Sequence, residues 1–387
     1  MSSPDDLKVS RAIIGALVLL LSAVLALVAA NSPYGPAYHR FWHLPHVFAP
    51  GLRMTARAIV NNGLMTLFFL AVGLELKREV TQGALRHPRA MALPLVAALG
   101  GMIVPAILYY ALNRRGIAAG GWGVPMSTDI AFAAGALALL GRRAPRNLMI
   151  FLLALAIVDD LGAILVIAFY YTRDLNPPAL GWAFAVCAAL VFLNRRRVRG
   201  LFPYLFLGVL LWWALWCANI DAPLAGAIVA ATIPASRPPV VPEGRPWTAA
   251  DRLGRRLDPY IRLGVMPLFA FANAGLVFST HNITAQPTVF FGVLLGLVLG
   301  KFIGVGGISW LALRFELVHL PTGVAFRHLL GAAWLSGIGF TMALFINALA
   351  FAPGAERTAG QFGVLAASAL AAMLGMVWLW QTAPRSP

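Results

Sequence analysis

The feature that most constrains this chain is a succession of apolar runs, each long enough to cross a lipid bilayer as a helix. An α-helix needs about 20 apolar residues to span the hydrocarbon core of a membrane. Runs of this kind lie near residues 12–30, 58–76, 91–112, 122–141, 148–171, 179–193, 201–218, 221–234, 261–279, 289–313, 328–350 and 361–380. We therefore predict an all-α polytopic membrane protein with about twelve transmembrane helices.

The composition argues against most other classes of protein. The 387 residues are 60% hydrophobic and 11% charged, with a mean hydropathy of +0.79, whereas a soluble domain carries about 25% charged residues. The net charge of +16 does not indicate a nucleic-acid partner, because the cations form short clusters between apolar runs instead of one basic face. Cys187 and Cys217 lie inside apolar runs, where they can form neither a metal quartet nor a disulfide framework. We expect no cofactor and no enzymatic activity.

The distribution of basic residues predicts the orientation in the membrane. Of the 30 Lys and Arg residues, 22 fall in segments on one side, 7 fall on the other side, and Lys301 lies within a run. The positive-inside rule then places both termini of this multi-pass protein in the cytoplasm. We predict a single transmembrane domain over residues 1–387, with spans 1–8 at 12–234, a Pro-rich cytoplasmic linker at 235–258 and spans 9–12 at 261–380.

Four charged residues lie well inside the apolar runs: Asp129, Asp159, Asp160 and Lys301. A charge at the bilayer centre costs about 2.5–3.5 kcal/mol, so each needs a partner, water or a function. A buried ion pair that only fixes helix packing would need one acid, and this chain supplies three. Because neighbours on a helix project about 100° apart, we expect Asp159 or Asp160 to face Lys301. The other carboxylate, with Asp129, would face a wet cavity where a cation binds.

The donor atoms around these charges indicate which cation. The local sequence offers carboxylates, the Thr128 hydroxyl and backbone carbonyls, without a His or Cys beside them. Oxygen ligands favour hard cations over zinc or copper. This indicates Na⁺ or Li⁺, and K⁺ and Mg²⁺ stay open on ligand type alone.

Two of the apolar runs are interrupted. The fourth contains Pro125 ahead of Asp129, and the eleventh contains the segment Ser336–Thr341. Glycine and proline there predict unwound segments followed by capped half-helices, although glycines also serve close helix packing. Spans 3–5 and 10–12 run antiparallel, so we predict inverted-topology repeats with two crossed, discontinuous helices, spans 4 and 11. Asp129 and Lys301 have the signs that would compensate opposed half-helix ends.

Five motifs distributed along the chain resemble one transporter family. They are Val72–Glu79, Ser127–Gly141, Ala154–Ile164, Pro267–Gly275 and Ser336–Ile346. Together they are similar to the NhaA-type sodium/proton antiporters, inverted-repeat transporters with a midplane site, over nearly the whole chain. The resemblance implies electrogenic export of Na⁺ or Li⁺ in exchange for a larger number of H⁺, by alternating access. It also implies a homodimer in the inner membrane and a role in sodium and pH homeostasis.

The resemblance assigns roles to the buried charges. It implies that Asp160 is the main Na⁺ ligand, with Asp159 and Thr128 beside it. It implies that Asp159 pairs with Lys301, and that Asp129 supports the crossed helices.

The resemblance also implies a pH-sensing cluster. Glu75, Arg78 and Glu79 would lie at the cytoplasmic mouth of the transport funnel. The family usually has histidines before the ninth span, where this chain has Arg255 and Asp258. The histidine side chain titrates near neutrality, whereas arginine and aspartate side chains ordinarily do not. We therefore expect a pH profile that differs from that of relatives with linker histidines.

The outer loop between the first two spans is short and rich in proline. We expect it to reduce the hairpin through which the family dimerises. His39, His43 and His46 have the spacing of one helix face and could bind a metal. Pro45 and the neighbouring Gly and Pro residues argue against a helix there, so solvated histidines are the expectation.

Two other functions use similar residues. An intramembrane aspartyl protease needs two carboxylates from different helices, which Asp129 and Asp160 could supply, but Lys301 would quench such a pair. A channel or a symporter could use the same cation site. The residues alone do not separate antiport from symport, and that step depends on the resemblance.

Overall fold

The computed structural model describes residues 4–49, 52–83, 88–172, 174–235, 248–278 and 285–382. Almost all of them are helical, and their contacts form two compact units. Unit 1 comprises Met1–Tyr38, His87–Ala163 and Asn273–Pro387, and unit 2 comprises His39–Arg86 and Ile164–Ala272. Each unit therefore combines segments that are distant in sequence.

The helices of eight or more residues are labelled in chain order, together with one seven-residue helix. They are α1 (Pro4–Ala30), α2 (Gly35–His43), α3 (Met65–Gln82), α4 (Pro88–Leu112), α5 (Ile130–Leu139), α6 (Arg146–Val166), α7 (Pro177–Arg195), α8 (Phe202–Cys217), α9 (Leu224–Thr232), α10 (Ala249–Tyr260), α11 (Met266–Asn273), α12 (Pro287–Leu295), α13 (Ile308–Arg314), α14 (Phe326–Leu335), α15 (Phe340–Ala350) and α16 (Ala355–Thr382). A 3₁₀ segment, Ile117–Met126, precedes α5, and π-helical segments Gly296–Gly300 and Phe302–Gly307 join α12 to α13.

The helices confirm a multi-pass membrane protein. Among the described residues, seven helical segments are long and apolar enough to cross a bilayer, and two bent helix pairs raise the total to as many as nine. The predicted runs 201–218, 221–234 and 261–279 contain shorter helices, namely α8, α9 and α11 with the π turn before it. The count of twelve spans therefore stays a prediction.

The short helix α9 in unit 2 packs closely on α3 and ends against it. A Cβ atom on Gly226 would lie 2.1 Å from the Thr66 carbonyl oxygen, so only glycine permits this approach. The Lys77 ammonium donates to the carbonyl oxygens of Ala231, at 2.7 Å, and Ile233. Lys77 thus satisfies carbonyls at the carboxyl end of α9, where a cation is also favoured by the helix dipole.

The outer loop differs from the prediction, because residues 35–43 form the helix α2. Pro36 stands in its first turn, where proline is well tolerated, and Pro45 follows its end, so the prolines flank the helix instead of interrupting it. His46 lies beyond the helix on a strand. Burial, followed by the charges of His43 and Arg57, lowers the pKa of the His39 imidazole. The described side chains contain no group of three metal-ligating residues.

A short antiparallel hairpin follows α2. Strands β1 (Pro45–Ala49) and β2 (Leu52–Thr55) pair with Pro45 opposite Thr55 and an irregularity between Val47 and Ala49. The loop therefore retains a hairpin despite its length and prolines.

The linker differs from the prediction in its second half. Helix α10 covers Ala249–Tyr260, and Thr248 opens it with a capping box: its hydroxyl accepts from the Asp251 amide at 3.1 Å, and the Asp251 carboxylate accepts from the Thr248 amide. This reciprocal cap defines a helix start within the segment predicted as linker. The Pro-rich stretch 236–247 lies outside the described residues.

Unit 1 brings two helices into backbone contact beside Lys301. A Cβ on Gly100 of α4 would lie 2.3 Å from the Gly304 carbonyl oxygen, and a Cβ on Gly304 would lie 2.2 Å from the Gly100 oxygen. The Lys301 Nζ lies 3.6 Å from the position that a Cβ on Gly101 would take. Small residues at this crossing therefore set how close the lysine approaches α4.

Replacing Gly100 with alanine is expected to destabilise the protein, because the added methyl would collide with backbone. Overpacking of this kind costs about 1–3 kcal/mol. The measurement is thermal unfolding of the purified protein in detergent. Gly181→Ala is the matched control, since Gly181 lies on α7 with nothing within 4 Å of its Cβ position. Equal melting temperatures for both variants would contradict the prediction.

Candidate functional site

The site is built at two helix breaks in unit 1 that contact each other. The 3₁₀ segment Ile117–Met126 and α5 meet at 42°, and α14 and α15 meet at 47°. Ser127 and Asp129 lie in extended backbone within the first break. The Asp129 amide donates to the Ile338 carbonyl oxygen in the second break, at 2.6 Å. Both predicted interruptions are therefore present and hydrogen-bonded to one another, while crossing and repeat symmetry stay predictions.

One carboxylate caps the amino ends of both half-helices. Asp129 is the N-cap of α5, and its Oδ1 accepts from the Phe132 amide at 3.1 Å. Its Oδ2 accepts from the Thr341 amide at 3.0 Å and from the Thr341 hydroxyl at 2.5 Å, at the start of α15. The residue is 1% exposed. A negative charge at two helix N-termini is stabilised by their amides and dipoles.

That Asp129 faces a wet cavity stays a prediction, and its described contacts are of another kind. Three donors occupy its two oxygens, and all three belong to the half-helices. The observed contacts are those of a residue that joins the breaks.

A second carboxylate forms the buried ion pair. Lys301 lies between the two π-helical segments of its span, and its ammonium donates to Asp159 Oδ2. Both side chains are fully buried. The Thr128 hydroxyl lies 2.7 Å from the same Asp159 oxygen and 2.8 Å from the Ser336 carbonyl oxygen. Asp159 thus connects α6, the first break and the lysine span.

The neighbouring Asp160 is also buried, at 1% exposure. It interacts electrostatically with Lys301. The positive charge of Lys301 therefore acts on both carboxylates, and its hydrogen bond goes to Asp159. That the second carboxylate faces a wet cavity where a cation binds stays a prediction.

The charge balance determines what the site can do. Three carboxylates and one ammonium lie within unit 1 at exposures of 1% or less. If all were ionised, the cluster would carry a net charge of −2 in a medium of low dielectric, which is costly without compensation. A bound proton or a bound cation lowers that charge equally. The donor atoms are oxygens, as hard cations prefer.

Comparison with known proteins agrees with this chemistry. The family model described as Na⁺/H⁺ antiporter 1 matches residues 8–379. The chain belongs to this family. A relative named Na⁺/H⁺ antiporter NhaA from Syntrophobacter fumaroxidans is 45% identical, with 98% of this chain and 90% of the relative covered. An NhaA from Acidithiobacillus ferrooxidans is 42% identical over 98% of both chains. NhaA 2 from Pseudomonas syringae pv. syringae is 48% identical over 96% of this chain and 93% of the relative. The family is one of transporters.

In this member of the antiporter family, a separate set of charges lies in unit 2. Glu75 and Glu79 on α3 are half-buried, and Arg78 between them is exposed. The charges that act on Glu75 are those of Arg262, Asp258, Glu79 and Arg78. Arg262 and Asp258 form an ion pair at 2.6 Å. The predicted pH-sensing residues are therefore grouped with one another, in a different unit from the buried site.

The α10 helix adds a further cation to this set. Desolvation, followed by the charge of Arg78, lowers the pKa of the Arg255 guanidinium, and Asp251 opposes this. Arg255 and Arg78 are thus close enough to repel each other. The surroundings of Glu75 and Arg78 thus combine charges from α3 and α10.

Sequence reasoning missed the role of Thr341. The residue was part of the second interruption, but only the structure shows that its hydroxyl and amide both donate to Asp129. Its position as the second residue of α15 was an available signal, because a hydroxyl in the first turn of a half-helix can contact a capping carboxylate.

We predict that Thr341→Val lowers the stability of the protein, because Asp129 Oδ2 would keep only the amide donor. An unsatisfied buried polar group costs about 1–3 kcal/mol. Thr341→Ser retains the hydroxyl and should lose much less. Thermal unfolding in detergent measures both variants, and equal losses for valine and serine would contradict the prediction, because the hydroxyl would then contribute no more than the methyl group.

Proposed function

We propose that this protein is a secondary antiporter that exports Na⁺ or Li⁺ in exchange for H⁺ across the cytoplasmic membrane. One observation carries the proposal: three carboxylates and one lysine are buried together at two contacting helix breaks. Membership of the Na⁺/H⁺ antiporter 1 family supports the choice of ions. The names of the relatives give the same pair of ions.

In this proposal Asp160 is the main cation ligand. The Asp160 carboxylate either binds a proton or binds Na⁺, since both lower the negative charge of the buried cluster. Asp159 and the Thr128 hydroxyl, which contact each other, supply further oxygen ligands for the Na⁺ ion. Competition between Na⁺ and H⁺ for the same carboxylates makes the transport an exchange, because the site cannot hold both at once.

The exchange is electrogenic in this proposal. The cluster holds two carboxylates and a lysine outside the Asp129 cap, so more than one group can release a proton when a single Na⁺ enters. Alternating access carries the loaded site between the two sides of the membrane. Moving more protons than cations lets the membrane potential drive sodium export, which suits sodium and pH homeostasis.

The proposal includes the orientation of the chain in the membrane and its assembly as a homodimer. Both termini are cytoplasmic, as the distribution of basic residues predicts. The hairpin of strands β1 and β2 supports a homodimer, since the resemblance assigns dimerisation to this hairpin and the chain forms it.

The deciding experiment measures proton movement in inside-out vesicles that contain the protein. After respiration has acidified the lumen, addition of Na⁺ or Li⁺ should collapse the pH gradient, and K⁺ should not. A symporter would instead move protons with Na⁺ and deepen the gradient. A protein that moves neither ion would leave the gradient unchanged, and either result would overturn the proposal.

The pH profile should be displaced or flattened relative to relatives with linker histidines. Arg255 and Asp258 stand in place of those histidines, and only histidine ordinarily titrates near neutrality. The charges of Arg262, Asp258, Glu79 and Arg78 act on the Glu75 carboxyl group, so Glu75 and Glu79 are the positions to substitute. Rates of exchange measured between about pH 6 and 9 test this, with Glu75→Gln and Glu79→Gln beside the unmodified protein. A steep activation between about pH 7 and 8 that both variants retain would contradict it.

A further inference from the structure

A cavity of about 340 Å³ lies in unit 1, where α4 ends and α12 begins. Its walls include Asn113, Arg114, Arg115 and Thr288. The cavity is of a size that holds small-molecule groups. None of the buried charged residues of the transport site lines it.

Asn113 lines this cavity and carries an unfilled hydrogen-bond acceptor. The side chain is 3% exposed. Its amide nitrogen donates to the Thr288 carbonyl oxygen at 2.9 Å and to the Tyr109 oxygen at 3.3 Å. Its Oδ1 is buried and receives no hydrogen bond among the described residues. A buried polar atom normally has a partner, so the position of Oδ1 indicates a donor supplied from outside the chain.

The same cavity carries positive charge. Arg114 and Arg115 are exposed, and no described carboxylate forms an ion pair with either. Thr288 lies in the first turn of α12, whose free amides attract anions. The neighbouring Glu356 does not line the cavity, and its carboxylate accepts from Gln286 at 3.1 Å. The site therefore fits a ligand with a negative charge and a hydrogen-bond donor.

An exposed apolar stripe leads to the cavity along α4. Ile103, Ile107 and Tyr110 are 54%, 62% and 51% exposed, at spacings that place them on one helix face. The helix is long and apolar enough to cross a membrane, so this face is available to acyl chains. A free anion would contact the arginines alone, whereas a lipid would contact the arginines with its head group and the apolar stripe with its acyl chains.

We infer that this cavity binds the head group of an anionic phospholipid that carries a free hydroxyl, of the phosphatidylglycerol class. The lipid phosphate contacts the two guanidinium groups, which bind phosphate with several donors. The glycerol hydroxyl donates to Asn113 Oδ1, and one acyl chain lies on the stripe. A choline head group has neither the net charge nor a donor, and an ethanolamine head group has a donor but no net charge. In the proposed orientation the lipid belongs to the outer leaflet.

The test measures lipid binding to the purified full-length protein and does not involve transport. Dioleoylphosphatidylglycerol or dioleoylphosphatidylcholine is added to the protein in detergent, and bound lipid is counted by native mass spectrometry while thermal unfolding is followed. We expect phosphatidylglycerol to be retained and to raise the melting temperature above the value with phosphatidylcholine. Arg114→Gln and Arg115→Gln should each weaken its apparent affinity roughly fivefold.

Arg40→Gln is the matched control, because Arg40 is exposed, lies on α2 and does not line the cavity. It should leave the affinity within about twofold of the unmodified protein. Equal effects of all three substitutions would overturn the proposal, because any basic residue would then suffice. Equal retention of phosphatidylcholine would overturn it in favour of simple acyl-chain packing. Equal retention of phosphatidylethanolamine would show that charge is not recognised, and saturation by glycerophosphoglycerol alone would show a site for free anions.

Discussion

An Asp160→Asn variant is expected to lose Na⁺-dependent proton release while its fold remains intact. The amide keeps the volume of the carboxyl group but can neither release a proton nor carry a charge. Attraction between a cation and a carboxylate 4 Å apart amounts to about 4 kcal/mol at an effective dielectric of 20, or roughly a thousandfold in affinity. Collapse of the pH gradient on addition of Na⁺ or Li⁺ should therefore fall below detection.

The variant must be shown to be folded, and a second aspartate supplies the control. Asp174→Asn makes the same chemical change at an exposed residue of unit 2. Asp174 has φ of 53°, a conformation that asparagine also adopts, and its carbonyl oxygen still accepts from Asn219. This control should transport normally. Normal exchange by Asp160→Asn, with a normal melting temperature, would remove Asp160 from the site.

The buried charges were predictable because the bilayer makes them exceptional. Asp129, Asp159, Asp160 and Lys301 stand in runs that are otherwise apolar, and such charges must be compensated wherever the chain folds. The structure places all four within unit 1. Hydropathy likewise predicted the long helices, because length and apolar content are local properties of the sequence.

Helix geometry alone did not decide which of the two consecutive acids pairs with Lys301. The residues predicted Asp159 or Asp160 and the resemblance implied Asp159, which is the carboxylate that accepts the hydrogen bond of Lys301. Asp129 caps the ends of the half-helices, as expected. The approach of Lys301 depends on the contact between Gly100 and Gly304, which joins helices about two hundred residues apart in sequence. Neither segment alone contains a signal that predicts contact between the two helices.

Hydrogen bonds from side chains to backbone carbonyl oxygens are a second kind of contact that the sequence did not predict. Lys77 directly follows the second apolar run, and it donates to the carbonyl oxygens of Ala231 and Ile233. Every residue carries a carbonyl oxygen, so the sequence gives no signal for this contact. The helix α2 was missed for a related reason, since a proline at a helix end and a proline in a helix interior look alike in a short segment.

Lys301→Ala is expected to lower both the melting temperature in detergent and the rate of exchange. The lysine is fully buried and donates to Asp159, so its removal leaves a buried carboxylate without the cation that compensates it. Breaking a buried pair in this way costs about 3–5 kcal/mol. A stable and fully active Lys301→Ala would refute the assignment of Lys301 to the site in any role.

Lys301→Arg separates a structural lysine from one that carries a transported proton. Arginine retains the positive charge beside Asp159 but does not release its proton in the physiological range. The guanidinium is larger and must fit beside Gly101, whose Cβ position lies 3.6 Å from the lysine Nζ. The melting temperature is therefore measured first, and a value restored above that of Lys301→Ala shows that the charge pair has formed again.

The charge moved per cycle then decides between the two roles. In proteoliposomes, an electrogenic exchanger responds to an imposed membrane potential, whereas an electroneutral exchanger does not. We expect exchange by Lys301→Arg to be electroneutral. In the unmodified protein the lysine would release a proton when a cation binds at Asp160, and arginine cannot supply that proton. The hydrogen bond to Asp159 acts against that release, since it favours the charged lysine. Binding of Na⁺ beside Asp159 would weaken the same bond by drawing the carboxylate toward the new cation, and this links proton release to cation entry. If the variant exchanges ions with an unchanged charge per cycle, the lysine is structural and Asp159 with Asp160 carries the protons.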